Sequence, residues 1–192
     1  MDARVATDAD LDDATELLTD AFMTDPVWGW ALPDRSALGA WWRFIIRSAL
    51  GHSWVWVLGD FAAVAVWIPP GVPELSSDDE EKVEPMIEGL AGPRAPEVMA
   101  LLEQFDAARP ESPPHYYLSL LGSDPARRGN GYGMTLLDLT LAKIDAEGMP
   151  AYLESSNPVN DARYERRGFK RFGEFERPNG GCVVAKMWRE AR

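Results

Sequence analysis

The chain has 192 residues, 46% of them hydrophobic and 26% charged, and a formal net charge of −12. That length suits one domain (1–192) with an adequate core, and the composition is that of an ordinary globular protein, not a disordered or fibrous one. The acidic balance argues against nucleic acid or an acidic membrane surface as partner, the apolar runs are too short to span a bilayer, and the single cysteine excludes an intrachain disulfide. The polar start Met1-Asp2-Ala3-Arg4 has no signal-type apolar region, so a cytoplasmic protein is expected.

Arg4–Ala6 reads as a first strand, and Thr7 as the N-cap of a helix over Ala9–Phe22. Leu11, Ala14, Leu17, Leu18, Ala21 and Phe22 recur on one face of that helix, and Asp25-Pro26 ends it. Val27–Asp34 reads as a loop carrying Trp28 and Trp30, and Ser36–Leu50 as a second helix. Trp54–Leu58 and Phe61–Ile68 read as a hairpin turned by Gly59-Asp60, with the second strand apolar throughout and therefore central. Residues 72–112 hold two short helical patterns, Asp78–Leu90 and Pro96–Ala108, and prolines at 85, 93, 96 and 110 limit anything longer. This segment is read as an insertion within the sheet. His115–Leu121 resumes the sheet, a helix follows over Gly131–Glu147, and Ala151–Ser155 is a strand. Asn160–Arg167 is a short helix closed by Gly168, and Lys170–Glu176 and Cys182–Trp188 form a last hairpin.

Charge is unevenly spread. Residues 1–120 carry a net −14 and residues 121–192 a net +2, so the C-terminal third suits an anionic ligand and the N-terminal part a cationic one. Soluble-surface acidity accounts equally for the run Asp78–Glu84. Cys182 lies in a strand-like segment and reads as a buried structural thiol. His52 and His115 are isolated, and no zinc-type ligand spacing exists, so no metal is expected.

The most informative stretch is Asp124-Pro125-Ala126-Arg127-Arg128-Gly129-Asn130-Gly131-Tyr132-Gly133, placed between a strand and a helix. Amides at a helix N-terminus lack intrahelical partners, and the helix dipole there favours an anion. Glycines admit tight turns and close approach of a phosphate. The spacing G-x-G-x-G is not the G-x-G-x-x-G of dinucleotide folds, and no Gly-Lys-Ser/Thr follows, so neither a dehydrogenase nor a P-loop is favoured. Arg128, Gly131 and Gly133 fit R-x-x-G-x-G, which resembles the acetyl-CoA pyrophosphate loop of the GNAT superfamily of N-acetyltransferases. A second segment, Asn157 to Phe169, resembles the same superfamily's N-x-x-x-Y-x-x-x-G-F pattern, with Asn160, Tyr164, Gly168 and Phe169 in place. The predicted order β–α–α–β–β–(insertion)–β–α–β–α–β–β extends the resemblance over nearly the whole chain. Ala6–Asp10, Ala62–Trp67 and Pro150–Ser156 further resemble the branch containing puromycin N-acetyltransferase, without making puromycin the substrate.

The resemblance implies an α+β fold, an α/β/α sandwich with a mixed, mostly antiparallel sheet and a splayed strand pair. It implies acetyl-CoA as cofactor and direct acetyl transfer to an amine in a ternary complex. The pyrophosphate is then expected on the amides of Arg128, Gly129, Asn130, Gly131, Tyr132 and Gly133. The pantetheine arm is expected along Leu121, Gly122 and Ser123, where Ser123 replaces the usual aliphatic residue. Tyr164 is the candidate general acid for the leaving thiolate, with core packing and a capped hydroxyl as its structural alternative. Asn160, four residues earlier, shares its helix face. Glu154 is the first candidate for general base, a structural hydrogen bond being its alternative. His115 and Asp25 are lesser candidates. Asp25, Trp28, Trp30 and Tyr117 are the expected substrate contacts, Trp41 and Trp42 are expected in the core, and one of Tyr116 and Tyr117 should face the cleft. A small-molecule amine is the expected acceptor, with a peptide acceptor or a non-catalytic acyl-CoA sensor as alternatives. Acceptor identity, acyl length and the choice between monomer and homodimer stay open.

Overall fold

A computed structural model describes residues 1–192. In chain order, strand β1 (Ala3–Val5) leads to helices α1 (Leu11–Phe22), α2 (Trp28–Ala31) and α3 (Arg35–Leu50). The hairpin β2 (Val55–Leu58) and β3 (Ala63–Ile68) follows, then helices α4 (Ser77–Ala91) and α5 (Ala95–Ala108). Strand β4 (Tyr116–Ser123), helix α6 (Tyr132–Ala146), strand β5 (Ala151–Ser155), helix α7 (Asp161–Glu165) and strands β6 (Lys170–Glu176) and β7 (Val183–Arg189) complete the chain. The strands form one sheet in the order β1-β2-β3-β4-β5-β7-β6, antiparallel at every pairing except β4 with β5.

Period-two alternation along the central strands sends side chains to two apolar layers. Val64, Val66 and Ile68 of β3 join the larger layer with α1, α3, α4 and α5, while Ala63, Ala65 and Trp67 join the layer under α6 and α7. Every residue of β3 is buried, as expected for a strand covered on both faces. Leu38, Leu101 and Leu136 are fully buried, and each such side chain contributes about 1.5–3 kcal/mol by leaving water.

Local chemistry sets the helix starts. The Asp34 carboxylate accepts from the Ser36 and Ala37 amides, and Ser76 Oγ accepts from the Asp79 amide. At the first helix the Thr7 amide and hydroxyl both donate to Asp10, whose carboxylate also takes two bonds from Arg4 at 2.6 and 2.8 Å. The Arg4 guanidinium holds that carboxyl far below its usual range. The expected helix from Ala9 therefore opens as a 3-10 turn, Asp8–Asp10, before α1 proper.

Three further expectations shift. The β2–β3 connection is a four-residue loop, because Leu58 pairs with Ala63 and the Ala62 amide bonds back to Leu58 O at 2.9 Å. Trp28 and Trp30 sit on the short helix α2, not in a loop. Pro85 is carried inside α4 without ending it.

The sheet opens where β4 and β5 meet. Their parallel ladder runs only from Tyr116↔Ala151 to Leu118↔Leu153, whereas β4 stays paired to β3 as far as Ser123. The register between β3 and β4 slips at Val66/Trp67, so Ser119 bulges opposite no β3 residue at the point of divergence. Beyond it, residues 119–123 of β4 have no partner on the β5 side.

Candidate active site

The opening between β4 and β5 is the floor of a cleft of ≈ 980 Å³. Its walls come from the end of α1, from α2 and α3, from the α4–α5 insertion, and from the segments that start α6 and α7.

One end is built from backbone. Gly129 (φ +89°) and Gly131 (φ +73°) adopt the left-handed conformation, and a Cβ added at either would meet nothing within 4 Å. Glycine serves the turn there, and the space above it is clear. The Thr135 amide makes the first helical bond, to Gly131 O at 2.9 Å, so the amides preceding it in α6 have no intrahelical acceptor. Gly133 has an ordinary backbone conformation, and a Cβ there would meet only Ser123 at 3.8 Å. Gly122 is demanded differently: a Cβ would stand 2.7 Å from Leu18 Cδ2, so its absence lets α1 lie on β4.

Of the residues expected around a cofactor, Leu121, Gly122, Ser123, Arg128, Gly129, Gly131, Tyr132, Gly133 and Asn160 line this cleft. Asn130 does not; its Nδ2 donates to Arg127 O at 2.8 Å, pinning the turn. Arg128 reaches Thr24 Oγ1 at 3.4 Å. Arg127 is held by Asp124 at 3.0 Å instead of standing free in solvent.

The two candidate catalytic side chains share the cleft. Tyr164 is buried with its ring edge-on to Phe169 (centroids 6.0 Å), and it lines the cleft. The ring therefore packs as the structural alternative supposed, on a residue that also borders the open space. Burial, then the charges of Asp25 and Asp161, push this phenol upward, so it stays protonated at neutral pH. Asn160 precedes α7 and also lines the cleft, its Oδ1 accepting from Arg163 at 2.9 Å. Glu154 projects from β5 just past the last β4–β5 pair. Its Oε1 is buried without a partner. Burial pushes the Glu154 carboxyl up to about 7 against the opposing pull of the Tyr152 hydroxyl, the Arg109 guanidinium and Tyr117, with the Glu74 charge adding to the rise.

A polar cluster that no local sequence signal announces surrounds Glu154. The Glu74 carboxylate accepts from Arg109 at 2.8 Å and from the Ser119 hydroxyl, joining the two ends of the insertion to the β4 bulge. The Arg109 guanidinium lies 4.0 Å over the Tyr117 ring. Tyr117 is thus the member of its pair that faces the cleft, while the Tyr116 hydroxyl donates to Glu147 at 2.7 Å in the opposite layer.

Asp25 lines the cleft, but its carboxylate is already committed. It accepts from the Val27 and Trp28 amides at 2.9 and 3.0 Å and from Ser156 Oγ at 2.8 Å, tying α2 to the end of β5. Burial nonetheless pushes its carboxyl up. Trp28 lines the cleft, stacked on Phe105 (5.4 Å) and edge-on to Trp42 (4.7 Å). Trp41 and Trp42 are buried in the core as expected, and they also back this wall. Trp30 is corrected: it lies outside the cleft, between the guanidinium groups of Arg94 (4.8 Å) and Arg177 (4.3 Å). His115 is outside as well, packed against Trp188 and Tyr152, and burial lowers its pKa. Cys182 is buried with its thiol on Ser156 O at 3.4 Å, and burial pushes that thiol up.

Comparison with known proteins agrees with this geometry. Residues 89–169 match the model of the acetyltransferase (GNAT) family. An uncharacterized N-acetyltransferase of Schizosaccharomyces pombe is 26% identical over 173 residues, covering 81% of this chain and 69% of the relative. A solved structure from Corynebacterium glutamicum, described as histone acetyltransferase HPA2 and related acetyltransferase, has TM-score 0.69 at 22% identity, covering 99% of this chain and 96% of its own. Arylalkylamine N-acetyltransferase 2 of Aedes aegypti has TM-score 0.70 at 14% identity, with 100% and 99% covered. A Drosophila melanogaster polyamine N-acetyltransferase that forms N-acetylagmatine has TM-score 0.69 at 15% identity, with 98% and 99% covered. At these identities the solved structures speak for the fold alone. No helix is long and apolar enough to cross a membrane.

Proposed function

We propose that the chain is an N-acetyltransferase of the GNAT family, as the family match over residues 89–169 supports, and that it moves an acetyl group from acetyl-CoA to a primary amine of a small molecule, with both substrates held together in the cleft. The observation that carries this reading is one continuous cleft lined by the glycine turn, the free edge of β4, Tyr164 and Glu154.

The residues present fit the donor substrate. The clear space over Gly129 and Gly131 and the free amides of the first turn of α6 suit a pyrophosphate. The unpaired edge of β4 from Ser119 to Ser123 suits an arm that pairs like an added strand. Acetyl-CoA, when bound there, supplies an activated acyl group as a thioester. Glu154, poised near neutrality by burial, accepts the proton of the acceptor ammonium directly or through a water. The freed amine nitrogen bonds to the acyl carbon as the C–S bond breaks. Tyr164 gives its hydroxyl proton to the departing sulfur, and the second proton that the nitrogen sheds on becoming an amide passes to solvent, from which the phenolate is reprotonated. A backbone amide of β4 exposed by the splay would polarise the carbonyl oxygen.

Fold neighbours named for agmatine and arylalkylamine acetylation support an amine acceptor of small size. The α4–α5 wall beside the cleft supports a small molecule over a peptide. Within the superfamily, the segments Ala6–Asp10, Ala62–Trp67 and Pro150–Ser156 support kinship with the puromycin N-acetyltransferase-like branch. A cytoplasmic location and a single domain over 1–192 belong to the same proposal.

Free-thiol release from acetyl-CoA against a panel of small amines, run beside acetyl-CoA binding by calorimetry, tests the reading. Turnover that needs an amine and collapses in Tyr164→Phe while acetyl-CoA still binds is the expected result. Tight acetyl-CoA binding with no turnover on any amine would point to a sensor instead.

A further inference from the structure

A guanidinium and a carboxylate are clamped together on the cleft wall near Glu154, and the transfer chemistry uses neither. Tyr117 of β4 and Tyr152 of β5 are register partners with rings 5.8 Å apart, and both belong to the larger apolar layer. Glu154, two residues beyond Tyr152 on β5, points to the same side of the sheet. Arg109, just past the end of α5, is fixed onto this side at three points. The Tyr152 hydroxyl donates to O of Ala108, the residue before it, at 3.0 Å. The guanidinium lies 4.0 Å over the Tyr117 ring, and its Nη2 donates to Glu74 Oε2 at 2.8 Å. Glu74 Oε1 in turn accepts from the Ser119 hydroxyl at the bulge. Glu74, Arg109, Tyr117, Ser119 and Glu154 all line the cleft. Two groups are left over: Arg109 Nε is a buried donor without an acceptor, and Glu154 Oε1 is a buried acceptor without a donor.

Burying an ion pair costs desolvation that its attraction barely offsets, so stability is a weak reason for this clamp. We propose that Arg109 is a positioning residue for Glu154, held by Glu74 and Tyr117 so that its charge acts on the carboxylate and governs when it can take a proton. The surroundings of Glu154 fit that role. Burial, the largest influence, raises its carboxyl; Tyr152, Arg109 and Tyr117 pull it down, and Glu74 pushes it up. Both phenols are themselves pushed up by burial and stay neutral, which leaves Arg109 and Glu74 as the charges that act. Lys186 of β7 stands opposite Glu154 in register, but its ammonium is taken up by the Phe172 ring at 5.2 Å. On α5, burial raises the Asp106 carboxyl and Arg109 pulls it down. Removing the two clamp partners therefore acts on Glu154 in opposite directions. Without Arg109 its carboxyl rises, and without Glu74 it falls. Glu154 is a base only under the acetyl-transfer reading, on which this role rests.

The test follows two readouts in the whole chain. One is the pH dependence of kcat/KM with acetyl-CoA and the most active small amine. The other is the titration of Glu154 itself, by carbon NMR of its side-chain carboxyl, assigned with Glu154→Gln. The expected midpoint moves up by about one unit in Arg109→Gln, down by about one unit in Glu74→Gln, and back toward wild type in the double variant. Arg109→Lys, which keeps the charge, moves it less than Arg109→Gln. Circular dichroism checks folding, and where Arg109→Gln does not fold, the downward move in Glu74→Gln decides alone. Midpoints that stay in place, or move the same way in both single variants, overturn the inference and leave acetyl transfer standing where amines are turned over. Opposed NMR shifts with no thiol release on any amine keep the role of Arg109 and overturn acetyl transfer. An unmoved titration with no turnover overturns both.

Discussion

The two ends of the cleft are built on different principles. The glycine-turn end is made of backbone from one contiguous stretch, residues 124–133, and offers amides that the start of α6 leaves without intrahelical acceptors. The insertion end is made of side chains brought from afar: Glu74 meets Arg109 across 35 residues and Ser119 across 45. A backbone site can be read from spacing, because glycine positions and helix starts are local. A side-chain site of this kind exists only once the insertion folds onto β4. Tyr164 and Glu154, on α7 and β5, line the same cleft as both ends.

Breaking the junction should have the largest effect. Tyr164→Phe keeps the ring on Phe169 but removes the proton donor, so kcat should fall about 10²–10³-fold with acetyl-CoA affinity retained, as rates and calorimetry would report. At the backbone end, Gly131→Val forces a β-branched residue to φ +73°. Strain of about 1–3 kcal/mol should weaken acetyl-CoA binding by about tenfold or more, measurable by calorimetry. Undiminished affinity would mean that the turn is not the anchor.

Glu154 sharpens the comparison through pH. As a base it works deprotonated, so kcat/KM should rise with pH through about 7, the value to which burial pushes its carboxyl. Glu154→Gln should flatten that limb and lower kcat/KM by about tenfold. A limb that persists in the variant would assign the titration to the amine.

Asp25 ties α2 to the end of β5 through its own hydrogen bonds. Asp25→Ala removes bonds to Val27, Trp28 and Ser156 and should cost about 1–3 kcal/mol of unfolding free energy, read by denaturant titration. The smallest effect separates two neighbours on α2. Trp28→Ala should raise the amine KM several-fold, whereas Trp30→Ala, which disturbs only the Arg94 and Arg177 stacks, should not. A shift in both would place Trp30 at the site after all.

Much of the fold was legible because its signals are short-range. The bounds of β5 and β6 fall where alternation and flanking turns put them, and the apolar run at residues 61–68 marks the central strand. The splay was expected only through the family resemblance, and the Ser119 bulge was not expected, since ladder ends depend on registers that no single strand encodes. In the site, Arg128, Gly129, Gly131 and Tyr164 followed from two spaced patterns. Trp30 misled because an aromatic close to a cleft-lining one looks equivalent in sequence, although on a helix residues two apart do not share a face.

The most direct test of the account is the initial rate of thiol release from acetyl-CoA measured as acetyl-CoA and the most active amine of the panel are varied together. The account predicts release that requires the amine, follows an intersecting pattern as both substrates occupy one cleft, and is lost in Tyr164→Phe. Amine-independent release, or a parallel pattern typical of an acetylated enzyme, would contradict it.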